Sequence, residues 1–162
     1  MDSGSEARRW PVSELDVPSC SIERSLQVLG ERWSLLILRQ IFLGQHRFAE
    51  IQSALGVAPN LLSTRLKTLV EAGVLRTRSY QEAGSRHRLS YHLTDAGRDL
   101  LPVLGAFQQW GDKYRPRPAG PSAARRTRTT GEPLRVAFVT GDGREVEQSD
   151  VDIMAPCDAE LS

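Results

Sequence analysis

The sequence predicts a mainly α-helical chain with one small antiparallel β-hairpin, extended at its C-terminal end by a β-rich segment. Three observations carry this. Apolar residues recur at helical spacing from Ser21 to about Ala72. The period then falls to about two over Val74–Tyr80 and again over Leu89–Leu93, with a polar Gly84-Ser85 turn between. After a Pro-rich stretch, alternation returns at Leu134–Thr140.

Residues 1–19 show no sustained period and read as an N-terminal arm. Ile22, Leu26 and Leu29 then make one stripe of a helix, with Ser21 as its N-cap. A second helix is expected from about Glu31 to Leu43, with Trp33, Leu36, Ile37, Ile41 and Phe42 as its apolar side and Gly44 as its stop. Phe48, Ile51 and Leu55 define a third, short helix. Gly56-Val57-Ala58 is a tight turn, and Pro59 suits the first turn of a fourth helix from about Asn60 to Ala72. Leu62, Leu66, Leu69 and Val70 are its buried side. After the hairpin, Thr94 caps a long helix reaching about Tyr114, with Asp95 at its positive end and Leu100, Leu101, Leu104, Phe107 and Trp110 as its stripe. This makes 20–114 one domain. Residues 115–131 read as a Pro/Arg-rich linker. Residues 132–162 form an acidic extension with a hairpin around Gly141-Asp142-Gly143 and a third short strand at Val151–Ile153.

Helix, tight turn, helix and basic hairpin, in that order, are the parts of a winged helix-turn-helix. Such a second helix fits the major groove of duplex DNA. On the fourth helix Asn60, Ser63, Thr64 and Lys67 repeat at i, i+3, i+4 and i+7, opposite the leucines. Asn60 suits an adenine edge, Ser63 and Thr64 a base or a phosphate, Arg65 and Lys67 phosphate. The hairpin tip, with Arg86, His87 and Arg88, can straddle the backbone or reach the minor groove.

The charge distribution agrees. The net charge is only +1, yet residues 60–98 carry seven basic against three acidic residues, an excess of four, while 131–162 carry two against eight. A basic middle points to an anionic partner. No apolar run approaches a membrane span, and the N-terminus lacks the apolar core of a secretory signal, so a cytoplasmic protein with no membrane partner is expected. Two cysteines and three scattered histidines give no metal-ligand spacing, and no cofactor is expected. No phosphate-binding loop, nucleophile pair or carboxylate dyad argues for an enzyme.

Residues 20–114 resemble the HxlR-type family of bacterial winged-helix regulators. The resemblance rests on Cys20 before an amphipathic helix, the run Gly30-Glu31-Arg32-Trp33-Ser34-Leu35-Leu36-Ile37-Leu38-Arg39, and Arg47-Phe48-Ala49-Glu50-Ile51. Leu62-Ser63-Thr64-Arg65-Leu66-Lys67-Thr68-Leu69, Gly73-Val74-Leu75, Leu93-Thr94-Asp95-Ala96-Gly97-Arg98 and Leu100-Leu101-Pro102-Val103-Leu104 complete it, with Trp110 on the last helix. It implies a homodimer on a pseudo-palindromic operator, acting as repressor or activator. The first and last helices would make the dimer, so Ile22, Leu26, Leu104, Phe107 and Trp110 become interface candidates, with intramolecular core as their equal alternative. It also implies a redox-sensing role for Cys20, a thiol favoured as thiolate near a helix N-terminus with Arg24 one turn on. Inert packing is the competing reading, and Ser21 stands where the family often has Pro. Cys157 would then be a candidate resolving thiol. A regulator that senses a small-molecule effector, or a sequestering protein on the same scaffold, is the alternative function.

Overall fold

The computed structural model describes residues 20–81, 84 and 87–153. The N-terminal arm, part of the hairpin tip including Arg86, and the tail with Cys157 lie outside them. The chain divides into two units, Val28–Val136 and a second made of Met1–Gln27 with Ala137–Ser162.

The first unit holds the core. Helix α1 spans Ser21–Leu29, one residue earlier than its expected cap: Cys20, not Ser21, accepts the first helical bond, from Arg24 N–H at 3.1 Å. Its last two residues, Val28 and Leu29, pack on the core. Helix α2, Arg32–Phe42, buries Ile37, Leu38 and Ile41 together with Ser34 and Gln40. The expected stripe omitted Leu38 and the two polar residues, because α2 is covered over a wider arc than one neighbouring helix would give. Helices α3, Phe48–Leu55, and α4, Pro59–Glu71, form the helix-turn-helix. The turn works because Gly56 takes a φ of +62°, a left-handed conformation that costs glycine nothing. Val57 drops into the core behind it, and Leu62, Leu66 and Leu69 are fully buried. Deep burial of this kind is worth about 2 kcal/mol per side chain.

Strands β1, Leu75–Tyr80, and β2, Arg88–Leu93, pair antiparallel with Leu75 opposite Leu93 and Tyr80 opposite Arg88. The hairpin is anchored at its base and along β2. Thr94 N–H donates to the Val74 carbonyl at 3.1 Å, and the Tyr91 N–H donates to the His46 carbonyl at 2.8 Å.

The long helix expected from Thr94 to Tyr114 is two helices. Thr94 does cap, its hydroxyl accepting from Gly97 N–H at 3.1 Å, but α5 ends at Arg98 and α6 runs Leu101–Tyr114. Pro102 is the cause. It has no N–H for the Arg98 carbonyl and its ring would clash there, while it suits the first turn of a new helix.

Residues 115–131, read from composition as a linker, instead begin a strap that runs back along α6 as far as Val136. The Gln109 side chain pairs with the Val136 main chain both ways, accepting from N–H at 3.0 Å and donating to C=O at 3.1 Å. Gln108 donates to the Ala123 carbonyl and accepts from Arg125 Nη1 at 2.6 Å. Gly105 leaves room for Val136. The strap itself is tightened by Leu134 N–H to the Arg125 carbonyl at 2.8 Å and Thr127 N–H to the Glu132 carbonyl at 2.9 Å. These bonds are made mostly by main chain, which a composition reading does not register.

In the second unit, α1 leaves Ile22 and Leu26 exposed. The C-terminal segment is less β-rich than expected. Strands β3, Phe138–Val139, and β4, Glu145–Val146, pair over two residues each. No third strand forms at 151–153, where Val151 instead follows a single 3₁₀ turn, Gln148–Asp150.

Candidate nucleic-acid interface

The leucines that seat α4 on the core decide which side chains it turns outward. Asn60, Ser63, Thr64 and Lys67 are all exposed. Asn60 Oδ1 accepts from Leu61 N–H at 2.9 Å, and the Thr64 hydroxyl donates back to the Asn60 carbonyl at 2.9 Å. The N-terminal turn of α4 is thus locally ordered by its own side chains. Lys67 pairs with Glu71 at 3.6 Å across one turn, an exposed contact that phosphate can displace.

Arg65, expected as a phosphate contact, is placed differently from its neighbours on α4. It faces the start of α2, where Nη2 meets the Glu31 carboxylate at 3.1 Å. Its Nε is buried without a partner among the described residues. The sequence places Arg65 among polar neighbours, but only the tertiary fold brings Glu31 to it.

The hairpin contributes a second basic surface. Alternation puts Arg76, Arg78 and Tyr80 on one face of β1, with His92, Ser90 and Arg88 in register across from them. Arg76, Arg78 and Arg88 are exposed. His87 Nδ1 lies 3.3 Å from the Ser79 hydroxyl, so this candidate is tied across the hairpin. Arg86 falls outside the described residues.

Three side chains absent from the expected set belong to this surface. Arg76 and Arg78 were legible as i, i+2 basic residues in a strand. Arg47, which precedes α3, was not. Its guanidinium lies 4.8 Å from the centre of the Tyr80 ring, joining α3 to the hairpin through a contact no local pattern announces. Glu50 holds the start of α3 by accepting from the N–H groups of Arg47 and His46 at 3.0 and 3.1 Å. The bond from Arg47 N–H, chiefly, lowers its carboxyl pKa.

At the base of the hairpin His46 and His92 stack with ring centres 4.6 Å apart. His46 Nδ1 sits 3.0 Å from the Tyr91 carbonyl, and His92 Nε2 sits 2.9 Å from the Ser90 hydroxyl. Partial burial first, then His46 and the guanidinium groups of Arg78 and Arg76, push the His92 pKa down.

The interface candidates on the helices separate. Leu104 packs against the core. Phe107 and Trp110 are 60% and 55% exposed and fall in one stripe of α6 with Val103 and Tyr114. Cys20 is half-buried immediately before α1, and Arg24 donates to the Ser21 hydroxyl at 2.8 Å.

Known proteins agree with this geometry. Residues 28–119 match the model of the HxlR-like helix-turn-helix family. The chain belongs to that family. It is 46% identical over 112 residues to the Mycobacterium tuberculosis protein named "Uncharacterized HTH-type transcriptional regulator Rv3095", covering 69% of this chain and 70% of the relative. The solved structure of PA1607, described as a candidate transcription factor, superposes with a TM-score of 0.72 at 39% identity, covering 84% of this chain and 94% of that one. The redox regulator HypR in its reduced form gives a TM-score of 0.54 at 25% identity, covering 59% and 94%. The HxlR-like chain is therefore a winged helix-turn-helix protein among transcriptional regulators. No helix among the described residues is long and apolar enough to cross a membrane.

Proposed function

We propose that this HxlR-like chain is a homodimeric, sequence-specific regulator of transcription that binds duplex DNA in the cytoplasm. The observation that carries the reading is the outward face of α4, where Asn60, Ser63, Thr64 and Lys67 stand exposed opposite fully buried leucines. The basic hairpin face lies in the same compact unit. Helix α4 enters the major groove and reads bases from its first two turns, while Arg76, Arg78, Arg86 and Arg88 hold phosphate. The exposed Val103, Phe107, Trp110 and Tyr114 stripe of α6 is the surface for a second copy. An isologous pairing there sets two recognition helices about 34 Å apart, on half-sites one helical turn apart.

Fluorescence anisotropy with DNA from upstream of the protein's own gene tests this, in the presence of random-sequence competitor and at several salt concentrations. Tight, competitor-resistant binding with a steep salt dependence is expected. Arg86→Ala with Arg88→Ala weakens it and makes the slope shallower by about two. Binding no tighter than to random DNA, across a genomic fragment pool, removes the reading.

HypR's description as a redox regulator favours one further part of this proposal, that Cys20 reads oxidants. Loss of operator binding on mild oxidation, abolished by Cys20→Ser, is the expected result.

A further inference from the structure

We propose that Arg65 is a positioning residue of the DNA-binding face, fixing the roll of α4 about its own axis through Glu31 at the start of α2. The proposal rests on the reading of α4 as the recognition helix, and it assigns a role that phosphate contact does not.

The helix geometry comes first. At 100° per residue, Asn60, Ser63, Thr64 and Lys67 centre on one direction, and Arg65 points about 150° away from it. A side chain there does not share the groove-facing surface. Exposure agrees, since the Arg65 side chain is 22% exposed against 75% for Lys67 two residues on. The guanidinium is instead spent on Glu31, with Nη2 to Oε2 at 3.1 Å. The unpaired, buried Nε marks a group packed in place at a cost, which a surface phosphate ligand does not carry.

Glu31 is a firm anchor. It is the N-cap of α2, its carbonyl accepts from Ser34 N–H at 2.9 Å, and the α2 that follows is the most deeply buried helix. The leucine stripe keeps α4 down on the core and sets its roll coarsely, within the play that side-chain repacking allows. A directional pair to one side of the stripe supplies the finer restraint. A roll of α4 would swing Asn60 and Ser63 across the groove floor, altering which base edges they meet while leaving the phosphate-facing hairpin alone.

The test compares Glu31→Gln, Arg65→Gln and the reversed pair Glu31→Arg/Arg65→Glu with the parent. Each is followed by operator anisotropy across a salt series and by amide hydrogen exchange of the free protein. Both single variants are expected to lose about fivefold in operator affinity. Their salt slope and random-DNA affinity stay unchanged, and exchange accelerates in 60–67. The reversed pair recovers most of the affinity. A slope reduced by about one in Arg65→Gln, with Glu31→Gln neutral, would make Arg65 a phosphate ligand and overturn the proposal. Should Arg65→Gln fold poorly, Glu31→Gln still decides, because it keeps its shape and the exposed carboxylate is not part of the core. Absence of operator binding in the parent itself would sink the DNA reading. In that case exchange in 60–67 unaltered by Glu31→Gln would separately sink the positioning role.

Discussion

Gly97→Ala is the substitution whose effect the structure determines most sharply. Gly97 is buried in α5, where the chain turns from the hairpin back across the core. A methyl group there would overlap the Val74 carbonyl oxygen, and would sit 3.1 Å from Leu93 Cδ2 and 3.3 Å from the Val74 carbonyl carbon. The obstacle is main chain, so it cannot step aside as a side-chain tip would. It is also the acceptor for Thr94, whose N–H and hydroxyl reach it at 3.1 and 3.0 Å. Forcing α5 outward costs about 1–3 kcal/mol of overpacking and about 1 kcal/mol for a weakened hydrogen bond. Alanine returns at most about 1 kcal/mol of helix propensity. The net loss is about 2 kcal/mol. Gly111→Ala in α6 is the matched control. An added Cβ meets nothing within 4 Å there, so the same change should stabilise by about 0.5–1 kcal/mol. Urea unfolding followed by far-UV circular dichroism reads both as midpoint shifts at unchanged slope. Shifts of the same sign, or a Gly97→Ala unfolding free energy within about 0.5 kcal/mol of the parent, would refute the steric argument.

Three other outcomes are expected. Leu66→Ala, in the fully buried leucine stripe, should cost about 2–5 kcal/mol in the same urea assay. The depressed His92 pKa means that the unfolded chain binds that proton more readily, so stability should fall as pH drops below the ordinary value of 6.5. His92→Gln should flatten that part of the pH–midpoint curve, and an unchanged curve would assign the acid sensitivity elsewhere. Phe107→Asp places a charge in the exposed stripe of α6 and should halve the mass seen by sedimentation equilibrium without moving the unfolding midpoint measured at low concentration.

The helix-turn-helix was legible because its signals are local. Leucines at 62, 66 and 69 mark a buried stripe, and Gly56 and Pro59 punctuate the turn. The break between α5 and α6 has a local signal in Pro102, but the apolar stripe through Leu100, Leu101 and Leu104 runs on across it at helical spacing and reads as one helix. The outward face of α4 followed from the leucines, being their opposite. Arg65 did not, because its partner lies more than thirty residues away in sequence. Arg47 on Tyr80 is hidden for the same reason. The strap was illegible in another way: Gln108 and Gln109 bind main-chain groups, which every sequence has.

Helix α6 presents three different faces. Leu104 faces the core, Gly105, Gln108 and Gln109 hold the strap, and Val103, Phe107, Trp110 and Tyr114 look outward. One residue inserted near Ala106 would turn everything beyond it by about 100°. Gln109 would leave Val136, and the outward aromatic residues would swing out of line with Val103. The helix therefore tolerates changes of letter far better than changes of length, and its phase, more than the identity of any single side chain, is what a variant must preserve.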